Sequence, residues 1–193
     1  MAKRLQLERK ANKRKPRTVI LIIGEGQTEE AYFKAVKQTY HSPSLRLEIE
    51  PAKTKSDPVN LVKKADLRKK TGDYDYIFCV FDGDKPEEVN KARQQLARYN
   101  HDVRGFVSTP CFELWLTLHF DRSDAAMSDC QQMEVRLKRH WPDYRKGCDC
   151  DGLMPHLTTA CKHARWLEQQ QFENPSTELH QLIEVLETAL KEI

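Results

Sequence analysis

The sequence predicts an α/β protein: a mainly parallel, four-stranded sheet flanked by helices, with an α-helical C-terminal extension. Three observations predict it. Two short runs, Val19–Ile23 and Ile77–Phe81, are apolar at every position. That is the mark of strands buried on both faces. Up to residue 110, strand and helix patterns alternate, which favours parallel pairing with helices packed on the sheet. Beyond Pro110 the strand pattern does not return, and helical spacing takes over.

The elements follow in order. Residues 1–17 set eight Lys and Arg against the single acid Glu8. Such a segment cannot bury enough apolar surface to fold alone. It reads either as a solvated tail or as a sequence-independent contact to phosphates. Val19–Ile23 is the first strand, and it runs into Gly24-Glu25-Gly26, where glycine lets the backbone turn sharply. A helix follows, with Glu29 and Glu30 in its first turn and Phe33, Val36 and Tyr40 as its apolar stripe. Leu45, Leu47 and Ile49 alternate with Arg46 and Glu48, which predicts a half-buried edge strand. Asp57-Pro58 is a helix start, with Asp57 as N-cap, Val62 and Ala65 facing inward, and Gly72 at the end.

Ile77–Phe81 is the central strand and stops on Asp82-Gly83-Asp84. Pro86 opens a helix with Val89, Ala92, Leu96 and Tyr99 on one face, and Val103–Val107 is the fourth strand. Cys111–Phe120 is apolar nearly all round and reads as a buried helix. Residues 126–140 and 153–172 read as two further helices. The last helix has Ser176 as candidate N-cap and Leu179, Leu182, Ile183, Leu186 and Leu190 at helical spacing. Three units result: a basic arm over 1–17, an α/β core over 18–110, and a helical part over 111–193 packed on that core.

At 193 residues there is room for one real core plus an appendage. With 39% apolar and 32% charged residues the chain is polar, yet outside the range of disordered sequences. The net charge of +3 does not by itself demand a polyanionic partner, so the placement of charge carries the argument. No apolar run is long enough to span a bilayer, and the basic N-terminus lacks the apolar stretch of a secretory signal. A cytoplasmic protein is expected, with its six cysteines as reduced thiols.

The chemistry gathers at the strand ends. Ligands of open α/β sheets collect at the carboxyl ends of the strands. Glu25 follows the first strand, and Asp82 and Asp84 follow the third. If those strands are parallel neighbours, three carboxylates share one edge. Like charges that close raise each other's proton affinity unless a cation lies among them. A divalent metal resolves the repulsion, and Mg²⁺ held by one or two carboxylates can grip a phosphate. The remaining carboxylate is free to move a proton. The alternative is an ordinary strand exit, because Asp and Gly are common turn residues.

Ile22-Ile23-Gly24-Glu25-Gly26 followed by Val80-Phe81-Asp82-Gly83-Asp84 resembles the Toprim domain of primases, topoisomerases and several nucleases. The resemblance is closer to RloB-like proteins. It lies in Glu25-Gly26-x-Thr28-Glu29-x-x-Tyr32-Phe33, in Pro110-Cys111-Phe112-Glu113-Leu114-Trp115-Leu116-x-Leu118-His119-Phe120, and in Asn174-Pro175-Ser176-Thr177. It covers most of residues 18–190. The resemblance implies a Toprim-like sheet, Glu25 as general acid/base, and Asp82 and Asp84 as Mg²⁺ or Mn²⁺ ligands. It implies phosphodiester cleavage in DNA or RNA within an anti-phage defence system, together with an ATPase of the RloA type.

Other residues have competing readings. Glu113 suits the dipole of the helix it begins, but a buried carboxylate needs a partner, so a metal or a basic side chain is expected beside it. His119 is either a satisfied core histidine or an acid, base or phosphate contact. Asn174 and Thr177 are capping residues or, at a helix N-terminus, phosphate ligands. Cys148-x-Cys150, with Cys130, His156, Cys161 and His163, raises zinc, but the spacing is wrong for paired knuckles. Cys79 and Cys111 read as small apolar core residues. Arg17, Lys53, Lys55 and Lys85 are candidates to line a nucleic-acid groove. The sequence has no Gly-x-x-x-x-Gly-Lys-Ser/Thr loop, so ATP control would come from a partner chain. The expectation is a metal-dependent nuclease, and the alternative is a non-catalytic module that docks nucleic acid or the ATPase.

Overall fold

The computed structural model describes residues 18–51, 57–99 and 101–191. Its sheet is formed by β1 (Thr18–Gly24), β2 (Leu45–Pro51), β3 (Tyr76–Asp82), β4 (Val103–Thr109) and β5 (Ser176–Thr177). The order is β2-β1-β3-β4-β5; the first four strands are parallel, and β5 is antiparallel to β4. The helices are α1 (Gln27–Thr39), α2 (Pro58–Thr71), α3 (Pro86–Leu96), α4 (Glu113–Thr117), α5 (Cys130–His140), α6 (Leu157–Gln169) and α7 (Leu179–Lys191). A 3-10 helix, Asp151–His156, leads into α6.

The period of two in β1 and β3 divides the interior into two layers. Ile20, Ile22, Phe78 and Val80 point to one face, where they meet α1 and the helices after residue 110. Leu21, Ile23, Ile77, Cys79 and Phe81 point to the other, where Leu61, Val62 and Ala65 of α2 and Val89 and Ala92 of α3 cover them. β2 lies at the sheet edge, as its alternation predicts. Asp57 caps α2 by accepting the Asn60 N–H at 2.8 Å, and Gly72 ends that helix. The C-terminal helices belong to the same core as α1: Trp115, Leu137, Ala160 and Leu182 are fully buried in it.

Five expectations are corrected. The sheet has five strands, not four, because Ser176–Thr177 pairs with Ser108 and Thr109. Ser176 is therefore in a strand and does not cap α7; the Thr177 hydroxyl accepts the Leu179 N–H instead. Glu178 prolongs this edge: its N–H donates to the Val107 carbonyl, and its carboxylate accepts the Val107 N–H at 3.0 Å. The apolar stretch 111–120 holds only a five-residue α-helix, because His119 and Phe120 bond three residues back and tighten the last turn.

The helix expected over 126–140 starts at Cys130, where the Asp129 carboxylate accepts the Gln132 N–H. Asn174 holds Met127 out of the helix by bonding both its N–H and its carbonyl. The helix expected over 153–172 begins at Leu157. Pro155 lacks an N–H and interferes with α-helical bonding behind it, so the preceding turn coils as a 3-10 helix. Among the described residues no helix is long and apolar enough to cross a membrane.

A shared core predicts shared unfolding. Leu182→Ala should cost about 2–5 kcal/mol of stability. Far-UV circular dichroism and tryptophan fluorescence should lose their signals in one coincident transition. Two separated transitions would mean that the part after residue 110 folds by itself.

Candidate functional site

Strand adjacency builds the site. β1 and β3 are parallel neighbours, with Gly24 opposite Val80. The chain reverses its direction of strand addition between them, and in open α/β sheets that switch point is where ligands bind. Glu25 leaves β1 there, and Asp82 ends β3 there. Glu25 Oε1 accepts the Asp82 N–H at 3.2 Å, and Asp82 Oδ1 accepts the Phe112 N–H at 2.8 Å. Asp82 thus ties the exit of β1 to the approach to α4. The other carboxylate oxygen of each residue makes no hydrogen bond among the described residues. Gly83 is required by contact, since a Cβ there would collide with the Thr109 side chain.

Two further acids close in. Glu29, the third residue of α1, lies buried against Gly24, where a Cβ would come within 2.7 Å of its own Cβ. Its carboxylate lies beside Gly26, where an added Cβ would come within 3.2 Å of Oε2. Glu113 opens α4 and is 4% exposed. Tyr144 donates its hydroxyl to Glu113 Oε1 at 2.7 Å, and the Lys146 ammonium is 3.9 Å from the same oxygen. Tyr144 and Lys146 lie on the loop after α5, and the Gly147 N–H on Thr28 Oγ1 latches that loop to α1.

Among the described residues, the acids here outnumber the cations near them. Burial, with Glu29 and Asp84 nearby, pushes the Glu25 carboxyl from its ordinary 4.5 up to about 8, against the backbone N–H of Asp82 and the charge of Lys85. Burial and then Glu113 push Glu29 to about 7. Asp82 is held well above its ordinary range by burial and by Glu29, Glu25 and Glu113. Hard oxygen donors in this state suit Mg²⁺ or Mn²⁺ chemically. Among the described residues, however, no three His, Cys, Asp or Glu side chains close on a common point as a finished metal site, whether for magnesium or for zinc at Cys148 and Cys150.

The remaining candidates separate. Asp84 is exposed and borders an open groove of about 1260 Å³ that continues past Arg93, Phe172 and Asn174. Lys85 is exposed at the start of α3 and acts on Glu25 through space. Arg17, Lys53 and Lys55 lie outside the described residues. His119 is not brought to the carboxylates. It is 1% exposed, with Nδ1 bonded to the Trp115 carbonyl and Nε2 3.1 Å from the Tyr32 hydroxyl. Burial lowers it to about 4, so it is a neutral core histidine near pH 7. Asn174 and Thr177 hold loop and strand as described above.

Sequence reasoning passed over Tyr144 and Lys146, read Glu29 only as a helix-dipole acid, and weighed Cys130 only as a zinc ligand. Cys130, the first residue of α5, has its thiol lowered by a hydrogen bond from Cys111. Glu29 was within reach from the sequence, because an acid three residues into a helix beside a Gly-x-Gly turn fits a capping box. Tyr144 and Lys146 carry no local signal.

Buried acids of raised proton affinity make stability fall as pH rises. The native state binds more protons than the unfolded chain between about pH 4.5 and about 8, so stability present below that window is lost across it. In metal-free buffer the melting temperature should fall through this window, and Glu29→Gln should flatten the fall. An identical pH profile for the variant would show that Glu29 ionises as an ordinary surface acid.

The family model described as RloB-like protein matches residues 20–186. No curated protein and no solved structure matches the chain. The match takes in the Glu25 turn, the Asp82 strand end, Glu113 and the strand β5, and by it the chain belongs to the RloB-like family.

Proposed function

We propose that this protein is a metal-dependent nuclease of the Toprim kind, cleaving phosphodiester bonds in DNA or RNA. The single observation that carries the reading is the convergence of Glu25 and Asp82 at the β1/β3 switch point, with Glu29 and Glu113 beside them. Asp82 and Asp84 would hold Mg²⁺ or Mn²⁺, with Glu25 beside them as the acid/base. Bound there, the ion would polarise a phosphoryl oxygen and acidify water.

The protein's own groups supply the rest. Glu25 has a proton affinity near neutrality and so suits proton transfer. In hydrolysis the bond from water oxygen to phosphorus forms as the bond to the leaving sugar oxygen breaks. The water's proton leaves to a base, and the departing oxygen gains one from an acid. Glu113 stays oriented through Tyr144 and Lys146. The resemblance adds a setting: a cytoplasmic effector of anti-phage defence, working with an ATPase of the RloA type.

One observation favours a second reading, a non-catalytic module that docks nucleic acid or the ATPase. The carboxylates are not gathered as a three-ligand metal site among the described residues.

Cleavage assays separate the two. The purified protein is incubated with plasmid DNA, single-stranded DNA and transfer RNA in Mg²⁺ or Mn²⁺, alone and with an ATPase of the RloA type. We expect cleavage that a chelator abolishes and that Glu25→Gln slows by at least about 100-fold. Cleavage at the wild-type rate by Glu25→Gln would remove the acid/base assignment. Binding without cleavage under every condition would leave the docking module.

A further inference from the structure

Away from the carboxylates, an aromatic and cationic face is built where α4, α5 and α6 end or pass one another. Phe120 follows α4 and is 36% exposed. The imidazole of His140, last in α5, stacks on it with ring centroids 5.8 Å apart and planes within 6°. His156 flanks the same ring at 6.4 Å. Two residues on, the Arg122 guanidinium lies over the Trp166 ring of α6 at 5.0 Å. Arg136 donates to the Arg122 carbonyl at 3.1 Å, and with Arg139 it lines an adjoining groove of about 520 Å³.

One acid, Asp129, shares the groove with Arg136 and Arg139, and its carboxylate is engaged in capping α5. Arg122, Arg136 and Arg139 form no ion pair among the described residues. The nearby Lys138 is paired with Glu134, and the Asp121 carboxylate accepts the N–H of Arg122. Packing alone gives no reason to leave a flat aromatic pair open to water beside three guanidinium groups that no described carboxylate pairs. A polyanion made of flat rings fits both features. Bases stack on exposed aromatic faces, and guanidinium groups meet the phosphates between them. A duplex hides its base faces, so the chemistry selects an unpaired strand.

We infer that this face, Phe120 and His140 with Arg122, Arg136 and Arg139, is a stacking platform for single-stranded nucleic acid. It rests on the nucleic-acid part of the proposed function and adds where an unpaired segment of the substrate is held. The contacts are sequence-tolerant, because every base has a π face. α4 separates the platform from Glu113, so a strand held here lies beside the acidic site rather than in it.

The test is binding without chemistry. Fluorescence anisotropy is measured with a labelled oligothymidine or oligouridine of about 12 nucleotides, in chelator, on the full chain. The expected result is binding that weakens about 5- to 100-fold in Phe120→Ala and is retained in Phe120→Tyr. Arg139→Ala should lower the salt dependence of binding by about 0.7 in log–log slope. A blunt-ended duplex of the same length should bind more weakly.

The outcomes are distinct. If wild type and Phe120→Ala bind the oligonucleotide equally, or if neither binds it, the platform is overturned. If in the same preparations cleavage by wild type and loss in Glu25→Gln persist, the nuclease reading survives that failure. Circular dichroism of Phe120→Ala, matching wild type, excludes misfolding as the cause of weakened binding.

Discussion

The adjacency of β1 and β3 is the constraint on which the rest depends. Each strand is buried on both faces, so its place in the sheet is fixed by contacts from two layers. Parallel pairing then brings both carboxyl ends to one edge, and Glu25 and Asp82 have nowhere else to go. The hydrogen bond between them is the local record of that topology. The cost is electrostatic: several acids share a partly desolvated volume, and among the described residues Lys85 and Lys146 are the cations close by. A protein selected for stability alone has no need of such a cluster, which is why it points to a site.

The helical part is more than an appendage. It covers the face of the sheet that α1 only partly fills, and its first turn brings Glu113 to the strand ends. The loop after α5 adds Tyr144 and Lys146 to that acid and fastens itself to Thr28 on α1. Core packing and site construction are therefore coupled. The groove beginning at Asp84 runs between α3 and the segment before β5, again joining the two halves of the chain.

Most of the architecture was legible in the sequence, and for physical reasons. Fully apolar runs can only be central strands in a chain of this polarity, so β1 and β3 stood out. The Asp57-Pro58 start and Gly72 end of α2 follow from capping chemistry. What escaped notice depends on distant partners. β5 is two residues long and exists because Ser108 and Thr109 offer it an edge. The late start of α5 depends on Asn174, 47 residues away in the chain. In the site, Glu25 and Asp82 were legible because strand ends announce themselves. His119 looked like an acid–base candidate beside Glu113, but its role is decided by the Tyr32 hydroxyl and the Trp115 carbonyl, which fix a neutral ring in the core. Tyr144 and Lys146 belong to a loop whose position no spacing rule foretells.

The central claim is that the raised proton affinity of these acids marks a place meant for a cation. Isothermal titration of the metal-free protein with MgCl₂ near neutral pH, repeated in buffers of different ionisation enthalpy, tests it most directly. The account predicts saturable binding accompanied by proton release, because Asp82 ionises to hold the ion and the ion's charge lowers the proton affinity of Glu25 and Glu29 beside it. Both should be lost in Asp82→Asn. Absence of binding, or binding with no proton released and no effect of Asp82→Asn, would contradict it.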